Sequence, residues 1–343
     1  MRTVELGRSG LKVSAIGLGG VQFSKVSAAQ VKRVIGAALE EGINFLETAY
    51  GYFDSEEKMG PALRGRRDGL VLASKTWIRD GATFAQHMET SLRRLGTDCI
   101  DLYQLHGVDS QADMDACLKP GGPVEVAMRA RQAGKIRSLG LTTHSLDIAL
   151  AAAGMDIFES IQYPISLVNT EVRGSGLLGK AARNGVGLIA MKPLGGGRLG
   201  DPRLALGYVY RFRNVVPVVG VETPQQVREL AAIARRPPAL KTADQAAIAR
   251  LRRTVGKRFC RACRYCEPCP RKITIFKGMY FPVYIQQMGV DRVLGKGLPD
   301  YLKDIEKCTA CRTCEKRCPF GLDIVNGLKD SLALARELLA QKD

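Results

Sequence analysis

The chain has little of what marks a membrane or secreted protein. No run approaches 18 uncharged apolar residues, so the sequence predicts no membrane span. The N-terminal stretch MRTVELGRSGLKV lacks the apolar core of a secretion signal. Ten cysteines in 343 residues are too few and too clustered for a disulfide framework, which belongs to short secreted chains. We therefore expect a cytoplasmic protein without a membrane partner.

Aromatic residues are also scarce, at 6% of the chain, although the net charge is +17. From Arg235 onward the chain has 23 Lys and Arg against 11 Asp and Glu, a net of +12. A basic end can bind nucleic acid, but no recognition-helix motif accompanies it, and we expect no nucleic-acid partner. The charge better fits compensation of anionic cofactors, or docking of an acidic electron carrier such as a ferredoxin or flavodoxin.

Eight of the ten cysteines form two short runs near the C-terminus. Residues 308–319, CTACRTCEKRCP, fit the C-x2-C-x2-C-x3-C-P pattern of [4Fe–4S] proteins, and residues 260–270, CRACRYCEPCP, shorten its last gap by one residue. The fourth cysteine of such a run commonly serves the other cluster, so we predict two [4Fe–4S] clusters with exchanged ligands. The predicted ligand sets are Cys260, Cys263, Cys266 and Cys318, and Cys308, Cys311, Cys314 and Cys269. Zinc remains the alternative, although zinc ribbons pair C-x2-C units across longer spans.

The rest of the chain alternates apolar runs with amphipathic helical stretches. The runs are SAIGLGG, NFLETA, LVLASK, IDLYQLH, SLGLTTH, SIQYP, GLIAMKPL and VPVVGV. Eight such units predict an α/β fold, a (β/α)8 TIM barrel over residues 1–240, with a doubly wound sheet as the competitor. The segment RRPPALKTADQ predicts the boundary. Helical text between the cysteine runs predicts a small, mainly α-helical ferredoxin-like domain over residues 241–343.

Four ionisable residues follow three consecutive predicted strands: Glu47, Tyr52, Lys75 and His106. The carboxyl ends of barrel strands lie at one face, where barrel enzymes hold their active sites, so we expect these side chains to meet. A lysine ammonium beside a tyrosine favours the phenolate, and a carboxylate holds the ammonium in place. Such a set can protonate a carbonyl oxygen as hydride reaches its carbon.

Several segments together resemble the aldo/keto reductase superfamily, in its branch with a C-terminal ferredoxin-like iron–sulfur domain. They are GINFLETAYGYFDSEEKMGPAL, LASK, DLYQLHG, GKIRSLGLTTHS and IQYP. The resemblance implies a (β/α)8 barrel, a small-molecule carbonyl substrate, and a catalytic set of Tyr52, Glu47, Lys75 and His106, with Glu47 in place of the family's Asp. It also implies that NADPH or NADH is held by Thr142, Thr143, Gln162 and Met191, of which only Gln162 keeps the family's residue.

The loop KPLGGGRLGD after the seventh predicted strand suits a pyrophosphate. Three glycines allow backbone N–H groups to approach phosphate oxygens, and two cations add charge, which predicts contacts from Lys192, Gly195, Gly196, Gly197 and Arg198. A flexible turn is the alternative. The leading hypothesis is an iron–sulfur oxidoreductase that reduces a carbonyl with a nicotinamide cofactor, Tyr52 acting as general acid/base. One alternative is a ferredoxin-linked enzyme that delivers single electrons to its substrate without nicotinamide. The other is a non-enzymatic electron-transfer protein whose barrel has lost its catalytic activity.

Overall fold

The protein divides into two compact units in a computed structural model that describes residues 1–341. The first unit contains residues 1–194 and 201–241. The second contains residues 195–200 together with the chain from residue 242 onward. The six-residue segment 195–200 therefore lies in the first half of the sequence but packs as part of the C-terminal unit.

The first unit is built from ten strands and nine helices. The strands are β1 (Thr3–Glu5), β2 (Lys12–Ser14), β3 (Gly17–Gly19), β4 (Phe45–Glu47), β5 (Val71–Thr76), β6 (Ile100–Leu105), β7 (Ile136–Thr142), β8 (Ser160–Pro164), β9 (Gly187–Met191) and β10 (Val215–Gly220). The helices are α1 (Ala28–Glu40), α2 (Ser55–Leu63), α3 (Gly81–Leu95), α4 (Gln111–Leu118), α5 (Pro123–Gln132), α6 (Leu146–Ala152), α7 (Leu177–Arg183), α8 (Pro202–Val209) and α9 (Pro224–Arg235).

Strands β3 to β10 close into a barrel in which each strand pairs in parallel with its sequence neighbours and β10 returns to β3. The strands are almost wholly buried, because helices cover their outer faces and side chains fill the interior. Helix starts are fixed by local capping. Asp80 accepts from the Thr83 N–H at the start of α3, and Thr223 and Gln226 form a reciprocal capping box at α9. The predicted (β/α)8 barrel is confirmed.

The hairpin of β1 and β2 was not among the predicted elements. Its strands pair antiparallel, with Thr3 opposite Ser14. Leu6, Leu11 and Val13 bury themselves in one core cluster with residues from the amino ends of the barrel strands, including Phe45. The hairpin therefore covers the end of the barrel opposite the carboxyl ends of the strands, where a TIM barrel keeps its stability rather than its chemistry.

The second unit is helical, as predicted. Its helices are α10 (Thr242–Thr254), α11 (Ile275–Met288), α12 (Val290–Leu294), α13 (Asp300–Lys303), α14 (Thr313–Arg317) and α15 (Ile324–Ala340). Buried apolar residues of α11 and α15, among them Phe281 and Leu328, form its core, and both cysteine runs lie in the segments that precede these two helices. Across residues 1–341, no helix combines the length and apolar character needed to cross a membrane.

Candidate active site and cluster cavities

Three predicted site residues lie together where neighbouring barrel strands end. Glu47 is the last residue of β4, Lys75 lies in β5, and His106 follows β6. Lys75 and Glu47 are 1% and 3% exposed, and their side chains form an ion pair. The Lys75 ammonium also donates to the backbone oxygen of Thr48 at 2.8 Å. A buried cation is thus held by one carboxylate and one carbonyl, as buried charges require.

Tyr52 completes the group from the loop between β4 and α2. The Lys75 Nζ lies 4.6 Å from the centroid of the Tyr52 ring. The rings of Tyr52 and His106 meet edge to face, with centroids 5.9 Å apart and an interplanar angle of 85°. The four residues predicted as the catalytic set, Glu47, Tyr52, Lys75 and His106, therefore lie together. Tyr52 is half-buried, so its ring borders solvent while Lys75 lies beneath it.

Burial sets the protonation of this group. It lowers the pKa of Lys75 from its usual value, while the Glu47 carboxylate acts in the opposite direction. Burial, and then the Lys75 ammonium, hold the pKa of His106 well below its usual range. The imidazole is therefore neutral at physiological pH, and its Nδ1 has no hydrogen-bond partner in residues 1–341. A neutral imidazole can donate to or accept from a substrate oxygen without adding charge.

Gln162 joins this group through Glu47. Its Nε2 donates to Glu47 Oε1 at 3.1 Å, so the carboxylate bridges Lys75 and Gln162. A glutamate is one methylene longer than the aspartate of the resembled family. The Gln162 Oε1 is buried and without a hydrogen-bond partner among the described residues. It is therefore an acceptor that a bound amide N–H could satisfy, because an unpaired buried polar atom is costly.

The other residues predicted to bind nicotinamide make internal hydrogen bonds. The Thr142 hydroxyl accepts from the Gly107 N–H at 2.8 Å. The Thr143 hydroxyl donates to Asp109 at 3.2 Å. Met191 ends β9 and is half-buried. The two threonines thus fasten the loop after β6 to the end of β7.

Lys192, predicted as a phosphate ligand, contacts a histidine. Its Nζ lies 2.6 Å from His144 Nε2, and the His144 backbone N–H donates to Asp109 at 2.6 Å. Burial, and then the Lys192 ammonium, lower the pKa of His144. The Nε2 of a neutral His144 accepts a hydrogen bond from the Lys192 ammonium, which links the ends of β7 and β9. Asp109 carried no sequence motif, and the only signal was its place three residues after His106.

Trp77 is a neighbour that the sequence reasoning missed. It is the only tryptophan in the chain and is 50% exposed, with its ring centroid 5.8 Å from that of His106. A side chain at Gly51 would collide with it, since a Cβ there would lie 1.9 Å from the indole. Gly51 is therefore required for the indole to cover the loop that holds Tyr52. An exposed aromatic two residues after Lys75 was the available signal.

The glycines and Arg198 of the predicted phosphate loop lie in the second unit, whereas Lys192 belongs to the first. Gly195, Gly196 and Gly197 all have positive φ, and a Cβ at Gly197 would lie 2.4 Å from the Gln286 side chain of α11. The Arg198 guanidinium lies 5.6 Å from the centroid of the Phe259 ring. Burial lowers the pKa of Arg198, and Tyr280 and Cys260 are near enough to oppose that effect. The loop is therefore packed beside the first cysteine run.

The eight clustered cysteines surround two cavities of the second unit. The Cys260 cavity is lined by Cys260, Cys263, Cys266 and Cys318. The Cys308 cavity is lined by Cys269, Cys308, Cys311 and Cys314, with Cys266 also at its wall. Each cavity therefore contains one of the two predicted ligand sets. Within residues 1–341 no three His, Cys, Asp or Glu side chains converge on a single metal ion.

The two cysteine runs are one structural motif used twice. Residues 260–267 and 308–315 both read C-x-A-C-R-x-C-E. The alanine and arginine have positive φ in both copies, between 52° and 66° at Ala262, Arg264, Ala310 and Arg312. Non-glycine residues rarely adopt this conformation, which turns backbone N–H groups toward a common anion. The Ala262 N–H, for example, donates to Cys260 Sγ at 3.4 Å.

The glutamate that ends each motif holds the start of a helix. Glu267 accepts from the backbone N–H of Phe276 in α11 at 3.2 Å, and its other oxygen pairs with Arg264 at 3.1 Å. Glu315 does the same in the second copy, accepting from the backbone of α15 at 3.0 Å and pairing with Arg312 at 3.2 Å. Each glutamate therefore fixes a cysteine loop to the helix whose first turn lines a cavity.

The donor set fits an iron–sulfur cluster at both cavities. Burial raises the pKa of the Cys266 thiol, and the nearby Cys260, Glu267 and Cys263 raise it further. Four thiolates in one buried space repel one another, so they need a cationic core to hold them together. Apolar side chains such as Ile275 line the remaining walls.

Comparison with family models agrees with both units. The aldo/keto reductase family model matches residues 15–203, and the 4Fe-4S dicluster domain model matches residues 259–323. The first match covers more than half of the chain and includes Glu47, Tyr52, Lys75, His106 and Gln162. The second begins one residue before Cys260 and ends five residues after Cys318.

Individual relatives point the same way. The chain is 31% identical over 194 residues to the aldo-keto reductase YhdN of Bacillus subtilis, covering 51% of this chain and 57% of that protein. It is 32% identical over 227 residues to a 6-dehydroglucose reductase of Novosphingobium aromaticivorans, covering 59% and 71%. The chain thus spans under two thirds of the Bacillus protein. A holo-form aldo-keto reductase of Bacillus halodurans superposes with a TM-score of 0.63 at 25% identity, covering 73% of this chain and 96% of that one. The chain therefore belongs to the aldo/keto reductase family and has a C-terminal 4Fe-4S dicluster domain.

Proposed function

We propose that the protein is an oxidoreductase that reduces a small-molecule carbonyl compound with NADPH or NADH, using Tyr52 as the proton donor. The observation that carries the proposal is the buried Lys75, which pairs with Glu47 and lies 4.6 Å from the Tyr52 ring. Packing of the barrel core does not require a fully buried ammonium beneath a tyrosine that borders solvent. Such an ammonium is what a tyrosine requires to give up its proton near neutral pH.

The four side chains divide the work on the carbonyl group. Tyr52 gives a proton to the substrate oxygen, and the Lys75 ammonium stabilises the phenolate that remains. Glu47 holds the ammonium, and the neutral His106 orients the same oxygen by a hydrogen bond. A bound nicotinamide would supply the hydride that reaches the carbonyl carbon. The product is an alcohol, with its new C–H hydrogen from the cofactor and its O–H proton from Tyr52.

Gln162 is the residue best placed to hold the nicotinamide. Its unpaired Oε1 can accept from the carboxamide N–H of that ring, while its Nε2 stays with Glu47. Thr142 and Met191 end β7 and β9, the strands on either side of the β8 strand that contains Gln162. Together with Thr143, which follows β7, they would form the rest of the nicotinamide's surroundings. Because Glu47 touches both Lys75 and Gln162, nicotinamide binding and the proton donor are coupled through one carboxylate. The 6-dehydroglucose reductase among the relatives supports a carbonyl compound as substrate.

The second unit would hold two [4Fe–4S] clusters, with the ligand sets exchanged between the two cysteine runs. Each set lines its own cavity, and Cys266 lies at the wall of both. Such clusters supply one-electron transfer. We propose an acidic ferredoxin or flavodoxin as the partner, because the C-terminal region has a net charge of +12.

One observation favours a second function, ferredoxin-linked reduction without nicotinamide. The glycine loop and Arg198, which the sequence assigned to a pyrophosphate, pack against Phe259 and Gln286 of the second unit. Side chains of the second unit thus occupy the space beside the loop, and the Arg198 guanidinium is engaged with the Phe259 ring. The acid–base group of the barrel would then act on a substrate that receives single electrons.

Anaerobic titration with NADPH and NADH separates the two. The holoprotein is titrated while nucleotide fluorescence and the cluster signals in electron paramagnetic resonance are followed. Saturable binding of either nucleotide is expected, with the same affinity in Tyr52→Phe, which should lose carbonyl reduction. Failure of both nucleotides to bind, together with turnover driven by reduced ferredoxin, would replace the first function by the second.

A further inference from the structure

The two cluster cavities differ in how close they lie to the surface. Cys311, Thr309 and Arg312 line the Cys308 cavity and are all exposed. In the other cavity no cysteine is exposed: Cys260 and Cys266, which also borders the Cys308 cavity, are buried, and Cys263 and Cys318 are half-buried. Electron transfer between proteins requires close approach, so a carrier that docks on this unit reaches the Cys308 cavity more readily.

Five exposed cations lie at the Cys308 cavity or next to its lining residues in the sequence. Arg271 and Arg312 line the cavity, Lys272 follows Arg271, and Lys316 and Arg317 belong to the same cysteine run as Cys314. We call these five cations the Cys308 rim. Arg312 is paired with Glu315, and Arg317 donates to the backbone oxygen of Pro268 at 3.0 Å. In the part of the chain that the structure describes, Arg271, Lys272 and Lys316 form no ion pair.

Three carboxylates of the same region are engaged in ion pairs, and a fourth, Asp323, accepts hydrogen bonds from Asn326. Asp304 pairs with Lys307 at 2.5 Å, and Glu306 pairs with Arg336. Glu315 is shared between Arg312 and the start of α15. These pairs cancel charge locally, whereas the unpaired cations of the rim leave a positive surface beside an exposed cysteine. Such a surface attracts an anionic partner and raises its rate of association.

We propose that the Cys308 rim is the docking surface for a small, acidic, one-electron carrier protein. The proposal rests on the proposed two-cluster function of this unit. In the step, the reduced carrier loses one electron and the cluster site of the Cys308 cavity gains it, without transfer of any atom. Because Cys266 lines both cavities, a cluster in the Cys260 cavity would be the next electron acceptor. Nucleic acid fits this surface less well, since aromatic residues make up 6% of the chain and stacking platforms are few.

The test measures binding of an oxidised, acidic plant-type [2Fe–2S] ferredoxin to the full holoprotein by calorimetry, at low and at physiological salt. The variant reverses three rim charges: Arg271→Glu, Lys272→Glu and Lys316→Glu. The control reverses three exposed cations of the same unit that lie outside both cysteine runs and next to no residue that lines a cavity: Arg250→Glu, Arg253→Glu and Lys296→Glu. Iron and sulfide content, with the rate of reduction by dithionite, shows that each variant keeps its clusters.

We expect affinity that weakens with salt, and a rim variant that binds at least about tenfold more weakly than the control. Reduction by the reduced ferredoxin should slow by about ten- to a hundredfold in the rim variant, while the dithionite rate is unchanged. Equal weakening in both variants, or binding that does not respond to salt, would overturn the proposal. The measurement needs no turnover, so a failure of carbonyl reduction would leave its result standing, and the reverse also holds.

Discussion

Replacing Lys75 with methionine tests both the stability and the chemistry of the barrel site. The substitution keeps the length of the side chain and removes a charge that is 1% exposed. Glu47 would then be a buried carboxylate whose remaining partner in residues 1–341 is the neutral Gln162 amide at 3.1 Å. Breaking a buried ion pair by removing one member costs about 3–5 kcal/mol, because the other charge is left uncompensated.

The same substitution removes the ammonium that lies 4.6 Å from the Tyr52 ring. Loss of general acid catalysis should lower kcat/KM by about 10²–10⁴-fold. Stability can be followed in the barrel alone, because Trp77 is the only tryptophan in the chain and lies in the first unit. Urea titration monitored by Trp77 fluorescence should show that the free energy of unfolding falls by about 3–5 kcal/mol.

The double variant Glu47→Gln/Lys75→Met separates the two effects. It removes the orphaned charge while keeping a group that can hydrogen bond to Gln162. We expect it to regain most of the lost stability and none of the lost activity. Wild-type kcat/KM in Lys75→Met would contradict assistance of Tyr52 by the ammonium. Equal instability of the single and double variants would contradict an uncompensated Glu47 charge as the cause of the lost stability.

Three further predictions follow. Glu47→Asp withdraws the carboxylate from Gln162, so kcat/KM should fall by about tenfold or more with Lys75 still paired, and unchanged steady-state kinetics would contradict the bridge. Glu315→Ala removes the acceptor at the start of α15, so a chelator should extract iron faster than from wild type or Glu315→Gln; equal rates would exclude this role. Burial lowers the pKa of His106 and His144. At mildly acidic pH these histidines therefore bind a proton in the unfolded chain and stay neutral in the folded barrel. The free energy of unfolding should therefore drop by up to about 1.4 kcal/mol per histidine between pH 7.5 and 5.5 in urea titrations, whereas a flat profile would contradict buried, neutral imidazoles.

The barrel was predictable because its strands are continuous apolar runs and its polar residues stand at their ends. Parallel strands bring those ends to one face, so Glu47, Lys75 and His106 could be expected to meet from spacing alone. Tyr52 was reached through its distance from Glu47 in the sequence. The β1–β2 hairpin, by contrast, consists of two three-residue strands, which are too short to show a periodic pattern.

Contacts between distant segments could not be read in the same way. The bridge from Glu47 to Gln162 joins residues 115 apart, and its geometry depends on one extra methylene. The glycines of segment 195–200 fit either a phosphate or close packing against a helix, since both need a small residue at positive φ. Sequence alone does not distinguish the two, and in the structure α11 occupies the space beside them.

The cysteine-rich end contained more than its cysteines. The repeated C-x-A-C-R-x-C-E is visible in the sequence, yet the role of its glutamate depends on where the next helix begins. Glu267 and Glu315 accept from helix residues nine and ten positions later, a distance that no local pattern fixes. Ligand exchange between the runs stays a prediction, which the grouping of Cys318 with the first run and Cys269 with the second supports.

Transfer of deuterium from a labelled nicotinamide shows directly whether the protein reduces a carbonyl by hydride, with Tyr52 as the proton donor. The holoprotein is incubated anaerobically with a panel of aldehydes and ketones and with NADPH or NADH deuterated at C4 of the nicotinamide. We expect an alcohol with one deuterium on the former carbonyl carbon, formed by wild type and not by Tyr52→Phe, which still binds the nucleotide. Product without deuterium, or an equal yield from Tyr52→Phe, would contradict hydride reduction with Tyr52 as the proton donor.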